Sequence, residues 1–132
     1  MARGKDRHTA RLQLISALGR PLTRRARSRC ELCQSDAGKL KPMEVTPLED
    51  EPSIDRCVLL CPICSEGATN RYVTDDPHWF CLREAVWSEH PPIQVVAVRI
   101  VRALSMQGVN WAIEVNDGLY LSEALHDWIE AT

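Results

Sequence analysis

Two Cys-x-x-Cys pairs carry the clearest chemistry in this chain: Cys30 with Cys33 (Cys-Glu-Leu-Cys), and Cys61 with Cys64 (Cys-Pro-Ile-Cys). Each pair can present two thiolates from one side of a tight turn, and two such turns face to face make a closed tetrahedral site. Thiolates are soft donors, and four of them suit Zn2+ or an iron–sulfur centre. A redox Cys-x-x-Cys needs a single pair at a helix N-terminus in a βαβ setting. Here there are two pairs, one preceded by Arg29 and the other by Val58-Leu59-Leu60. A structural Zn2+ held by Cys30, Cys33, Cys61 and Cys64 is therefore the favoured reading. Such a site has no open position for water, so its metal builds a fold. Cys57 and Cys81 are left over and read as buried free thiols.

Arg20, Arg24, Arg25, Arg27 and Arg29 crowd one short stretch. They could contact the phosphates of DNA or RNA, in which case binding is salt-sensitive. They could equally form a solvated linker that pairs with the acidic loop at 44–55. No aromatic residue interleaves them, so stacking on bases is not indicated. His78 could be a ligand or a base. A site with four thiolates has no vacancy, however, and packing or capping against the metal element is the expected role. Asp75-Asp76 before Pro77 reads as ordinary capping rather than a hard-metal site. Trp79 reads as core, whereas Trp87 beside Ser88-Glu89-His90-Pro91 could face a partner.

These groups need a scaffold. A chain of 132 residues, 45% of them apolar, fits one domain with room for a small subdomain. Residues 1–7 are expected to fray. Residues 9–18 have helical spacing, with Leu12, Ile15 and Leu18 on one stripe, a Thr9 cap, and a stop at Gly19 and Pro21. The Pro-rich segment 34–56 reads as loop with short strands around 40–45 and 56–60, the second feeding the second cysteine pair. Residues 65–74 read as irregular, broken at Gly67. Asp75-Asp76-Pro77 should start a helix over 77–87 that buries Trp79, Leu82 and Val86. Residues 93–106 read as a buried helix, although the valines favour strand locally. Residues 111–115 are ambiguous in type. Ser122 caps a last helix that turns Leu125, Trp128 and Ile129 inward.

The net charge of −2 conceals an asymmetry: residues 1–29 carry +8 and the remainder −10. A basic arm on an acidic body reaches a polyanion or folds back on its own surface. No apolar run approaches the roughly 18–20 residues of a membrane span, and the Arg-rich start lacks the apolar stretch of a secretory signal. A cytoplasmic protein without a membrane partner is expected, and in that compartment paired thiols are metal ligands or redox pairs rather than disulfides.

Several strings together carry a family resemblance: Arg29-Cys30-Glu31-Leu32-Cys33, Cys57-Val58-Leu59-Leu60-Cys61-x-x-Cys64, His78-Trp79-x-Cys81-Leu82, and Trp87-Ser88-Glu89-x-Pro91-x-x-Gln94-Val95-Val96-Ala97. They resemble the PhnA zinc-ribbon family, and Trp111-Ala112 and Leu119-Tyr120-Leu121 fit it too. The resemblance implies a small bacterial protein with an N-terminal zinc ribbon, named from a gene beside a phosphonate-use operon. It implies no particular activity. A phosphonoacetate hydrolase shares the name, but its active site needs clustered Asp/His ligands that this sequence lacks. The order Cys30-x-x-Cys33, Leu40-x-x-x-x-Val45, then Asp55-x-Cys57-Val58-Leu59-Leu60-Cys61-x-x-Cys64 more weakly resembles the frame of an HNH nuclease. That chemistry needs a His near the positions of Met43 and Glu44, and usually another where Ser65 stands. His8, His78, His90 and His126 all lie elsewhere in sequence.

The expected protein is α+β and mainly helical. A basic arm with a short helix (residues 1–27) leads into a four-cysteine zinc ribbon or treble-clef-like knuckle (28–68). A three- to four-helix bundle (75–132) packs on it. The expected function is a non-catalytic zinc module for macromolecular interaction, with Arg20, Arg24, Arg25, Arg27 and Arg29 as contacts if the partner is nucleic acid. The alternatives are a protein–protein adaptor and an enzyme, either of phosphonate metabolism or of the HNH nuclease type. No small-molecule substrate is evident.

Overall fold

A computed structural model describes residues 2–36, 38–70 and 73–131, with side chains from Asp6 onward. The protein is α+β and mainly helical, with a two-stranded sheet beside the cysteine cluster. Helices α1 (Ala2–Ala17) and α2 (Gly19–Ala26) follow one another with a break at Leu18. The expected stop at Gly19 and Pro21 is thus only a restart. Pro21 lies in the first turn of α2, where its missing N–H would have had no helical partner. The segment expected to fray is helical from Ala2.

The stripe of α1 is not buried as its spacing suggests. Leu12 is 52% exposed, and Ile15 and Leu18 are only half-buried. What docks α1 is polar: Arg11 donates to both carboxylate oxygens of Glu44 (2.8 and 2.6 Å) and to the Glu49 carbonyl (2.7 Å). The basic arm does fold back on the acidic loop, through Arg11 on its carboxylate Glu44 and through Arg25 of the Arg-rich stretch on the Ile54 carbonyl.

Strands β1 (Lys41–Glu44) and β2 (Cys57–Leu60) pair antiparallel, Pro42 opposite Leu59 and Met43 opposite Val58. All four residues of β2 are buried, because each face of the strand meets a different apolar cluster. Val58 and Leu60 join the main core, while Cys57 and Leu59 pack with Leu22 of α2. Burial on both faces is why Cys-Val-Leu-Leu lacks the polar alternation of a half-exposed strand.

Helix α3 (Pro62–Thr69) occupies part of what the sequence suggests is irregular chain. Gly67 does not break it. A Cβ built at Gly67 would overlap the Trp79 indole, so the glycine permits the close approach of helix and ring. Gly67→Ala should therefore destabilise the protein by about 1–3 kcal/mol, against alanine's better helix propensity. Thermal or denaturant unfolding of the variant checks this.

The helix expected over 77–87 is a 3-10 helix (Pro77–Cys81) passing into one α-turn, α4 (Leu82–Ala85). Asp76 caps it as expected, Oδ1 accepting the His78 N–H at 2.8 Å. Trp79, Leu82 and Val86 are buried, and Trp87 is 55% exposed. Helix α5 (Pro91–Met106) runs through the main core, its valines buried on several sides, so packing overrides their local strand preference. Helices α6 (Asn110–Asp117) and α7 (Glu123–Glu130) pack against α5. The ambiguous segment at 111–115 is thus helical. Ser122 Oγ accepts the Leu125 N–H (3.2 Å), and Ile129 is buried. Arg99 of α5 donates to the carbonyls of Trp128, Ile129 and Ala131, at the C-terminal end of α7 where carbonyls run short of helical donors. No helix among the described residues is long and apolar enough to cross a membrane.

Candidate metal centre

The structure brings together all four cysteines singled out from the sequence. Their sulfurs lie within 4.8 Å of one another, a grouping that could hold a metal ion. A tetrahedron with metal–sulfur bonds of about 2.3 Å places its sulfurs about 3.8 Å apart. Cys33 Sγ and Cys61 Sγ are 3.8 Å apart. Cys30, Cys61 and Cys64 are buried, and Cys33 is half-buried.

Each pair is held by its own local geometry. In the first, Gln34 N–H donates to the Cys30 carbonyl and Cys30 N–H to the Ser35 carbonyl, both at 2.9 Å. Gln34 closes this turn in the left-handed region, at φ 63. In the second, Cys61 is the N-cap of α3, and its sulfur accepts the Cys64 N–H at 3.4 Å. A helix N-terminus favours a thiolate electrostatically.

The first pair is anchored to the sheet through the residue inside it. Glu31 N–H donates to the Leu59 carbonyl (2.9 Å), and Leu59 N–H donates back to Glu31 Oε1 (2.8 Å). Glu31 is only 6% exposed. Its charge is met by Arg25, which donates Nε to Oε2 (2.9 Å) and Nη2 to Oε1 (2.8 Å). Arg25 also donates to the carbonyls of Ile54 (2.9 Å) and Cys57 (2.8 Å). The α2 helix, the first cysteine turn and β2 are thereby tied at one buried ion pair.

His78 Nε2 lies 3.2 Å from Cys64 Sγ, and its ring meets Trp79 edge-on at 4.9 Å. It packs against the metal element, as a site already supplied with four sulfurs requires. In the tautomer protonated at Nε2 it donates to the thiolate and orients it, the usual outer-shell service at metal sites.

Protons leave this cluster unequally. The Cys30 thiol is lowered to about 4, chiefly by its hydrogen bond with Cys64 and against the cost of burial. Burial pushes Cys33 up to about 11. Cys64 is driven far above the ordinary thiol range, first by its bond to Cys30 and then by burial. The Cys30 thiolate thus discourages ionisation of Cys33 and Cys64 beside it, and a bound cation would supply the charge that displaces their protons. Cys57 and Cys81 are free thiols; Cys57 is buried as expected and Cys81 only half-buried, and burial raises them to about 11 and about 12.

The five arginines separate three ways. Arg25 is spent internally on Glu31 and two carbonyls. Arg20 and Arg24 border a concavity with Leu40 and Pro42. Arg27 and Arg29 border a groove shared with Ser88, Glu89 and His90. Arg20, Arg24, Arg27 and Arg29 are exposed, and none makes an ion pair or side-chain hydrogen bond among the described residues. The buried Arg25–Glu31 pair, the His78–Cys64 contact and the shared groove are invisible to sequence spacing, because each joins segments through tertiary contact.

No family model, curated protein or solved structure matches this chain.

Proposed function

We propose that the protein is a treble-clef-type Zn2+ module that binds nucleic acid without acting on it chemically. The order of parts supports the architecture: a cysteine turn, a two-stranded hairpin, then a helix whose first turn bears the second cysteine pair. Four soft donors in a closed arrangement favour Zn2+ used structurally, and the PhnA-like strings are consistent with that use. The nuclease alternative finds no support, since Glu44, where that frame needs a His, is bound by Arg11. His78 is bound to the Cys64 sulfur.

The observation that carries the nucleic-acid reading is the group of four exposed guanidinium groups without internal partners, Arg20, Arg24, Arg27 and Arg29, on and just after a helix fixed to the metal element. Their partners remain to be supplied from outside. Elemental analysis of the purified chain should find one zinc ion per chain. Anisotropy titration of a labelled oligonucleotide across a salt series should show affinity falling steeply with salt. Four phosphate contacts correspond to a log–log slope of about −3. Replacing all four arginines with glutamine should flatten it. Failure of the wild-type chain to bind at the lowest salt would refute the proposal.

A further inference from the structure

Two sequence features with no apparent connection form opposite walls of one groove of about 720 Å3. One wall carries Arg27, Arg29 and Gln34, beside the first cysteine turn. The other carries Ser88, Glu89 and His90, the corner that leads into α5. The volume lies within the about 300–1,000 Å3 typical of ligand sites.

The walls differ in chemistry. Arg27 and Arg29 offer guanidinium forks suited to phosphate oxygens. Opposite them, Ser88 Oγ accepts the His90 N–H (3.1 Å), which leaves the hydroxyl proton free to donate outward. Glu89 repels phosphate but accepts from the N–H groups of bases. Trp87, directly before Ser88, is 55% exposed and has no ring or cation partner among the described residues. Cations and base-directed polar groups within the groove, with an exposed indole one residue beyond its lining, make the combination that single-strand binders use. The backbone follows the charges, and bases stack on the ring. A duplex keeps its base faces stacked inside and cannot use the indole.

We infer that this groove holds a segment of single-stranded nucleic acid, its phosphates on Arg27 and Arg29 and one base stacked on Trp87. The inference rests on the nucleic-acid reading above and adds the strand state and the face. The test uses the zinc-bound full chain, with labelled oligothymidylate and a duplex of equal length at one low salt concentration. The single strand should bind at least about tenfold more tightly. Trp87→Ala should lower single-strand affinity about 5- to 150-fold, the range for loss of one base–aromatic stack, and leave duplex binding unchanged. Trp87→Phe, which keeps a ring, should retain most of the affinity. Arg27→Gln with Arg29→Gln should weaken both forms, and more than Arg20→Gln with Arg24→Gln does. Circular dichroism of each variant excludes unfolding as the cause. Binding to neither form would overturn the nucleic-acid reading and this inference together. Nucleic-acid binding without single-strand preference, or unaffected by Trp87→Ala, would overturn the groove alone.

Discussion

Stripping the metal should unfold much more than the cysteine loops. Cys30, Cys61 and Cys64 belong to the same apolar cluster as Leu82, Val86 and the buried face of α5. Strand β2 ends where the second cysteine pair begins, and α3 starts from Cys61 itself. The two-stranded sheet has no independent stability of note. Structural zinc contributes on the order of 10 kcal/mol or more to a small domain, comparable with the whole stability of about 5–15 kcal/mol of a typical one. Chelation, or Cys64→Ser, should abolish the cooperative thermal transition and much of the helical circular dichroism, and zinc should restore both to the chelated wild type. Acid should mimic chelation. Cys33 is raised to about 11 in the metal-free site, so near neutral pH the metal must expel a proton to bind, and affinity falls as pH falls. A chelated chain that still melts cooperatively at an unchanged temperature would make the metal incidental to the fold.

The parts legible from sequence are those decided within a few residues. The cysteine pairs, the Asp76 and Ser122 caps, the strand leading into Cys61 and the helix over 93–106 all follow from local spacing and termination chemistry. The parts that were not legible are set by contacts between distant segments. Helix α2 has a single buried residue, Leu22, and an arginine run that carries no apolar period. Helix α3 hides because Gly67, a breaker by local propensity, is there for Trp79. The Leu12 stripe of α1 has a genuine helical period yet remains half exposed, because the Arg11–Glu44 pair docks the helix instead. Glu31 between two cysteines looks like any exposed turn residue. Only the arrival of Arg25 and the Leu59 N–H makes its burial tolerable. The groove is the clearest case: an arginine run without aromatics and a tryptophan corner without cations each carry half of a binding chemistry, and tertiary structure alone joins them.

Arg25→Met should be among the most destabilising single substitutions outside the cysteines, although its neighbours Arg24, Arg27 and Arg29 are exposed and should contribute little to stability. Removing one partner of a buried ion pair costs about 3–5 kcal/mol, because the other charge stays buried without compensation. Here the Glu31 side chain is 3% exposed and the Arg25 side chain 15%. Methionine would fill the space but leave the carboxylate unneutralised and remove the Arg25 donor from the Cys57 carbonyl, while the Ile54 carbonyl would keep only the Cys57 N–H. If Glu31 then turns toward water, the Leu59 N–H on buried β2 loses its acceptor, at a further cost of about 1–3 kcal/mol. Because that contact seats the turn bearing Cys30 and Cys33 on the strand, zinc affinity should fall about 10- to 100-fold, as is usual when an outer-shell support is removed. Arg24→Met, one position away and exposed, should stay within about 0.5 kcal/mol of wild type. Arg25→Lys keeps the charge but not the two-pronged donor, and should fall between them. The double variant Arg25→Met with Glu31→Gln should cost less than the sum of its parts, since the buried charge is gone. Denaturant unfolding reads the stabilities, and chelator competition reads the affinity. Equal effects of Arg25→Met and Arg24→Met would show that the buried pair neither stabilises the fold nor seats the metal.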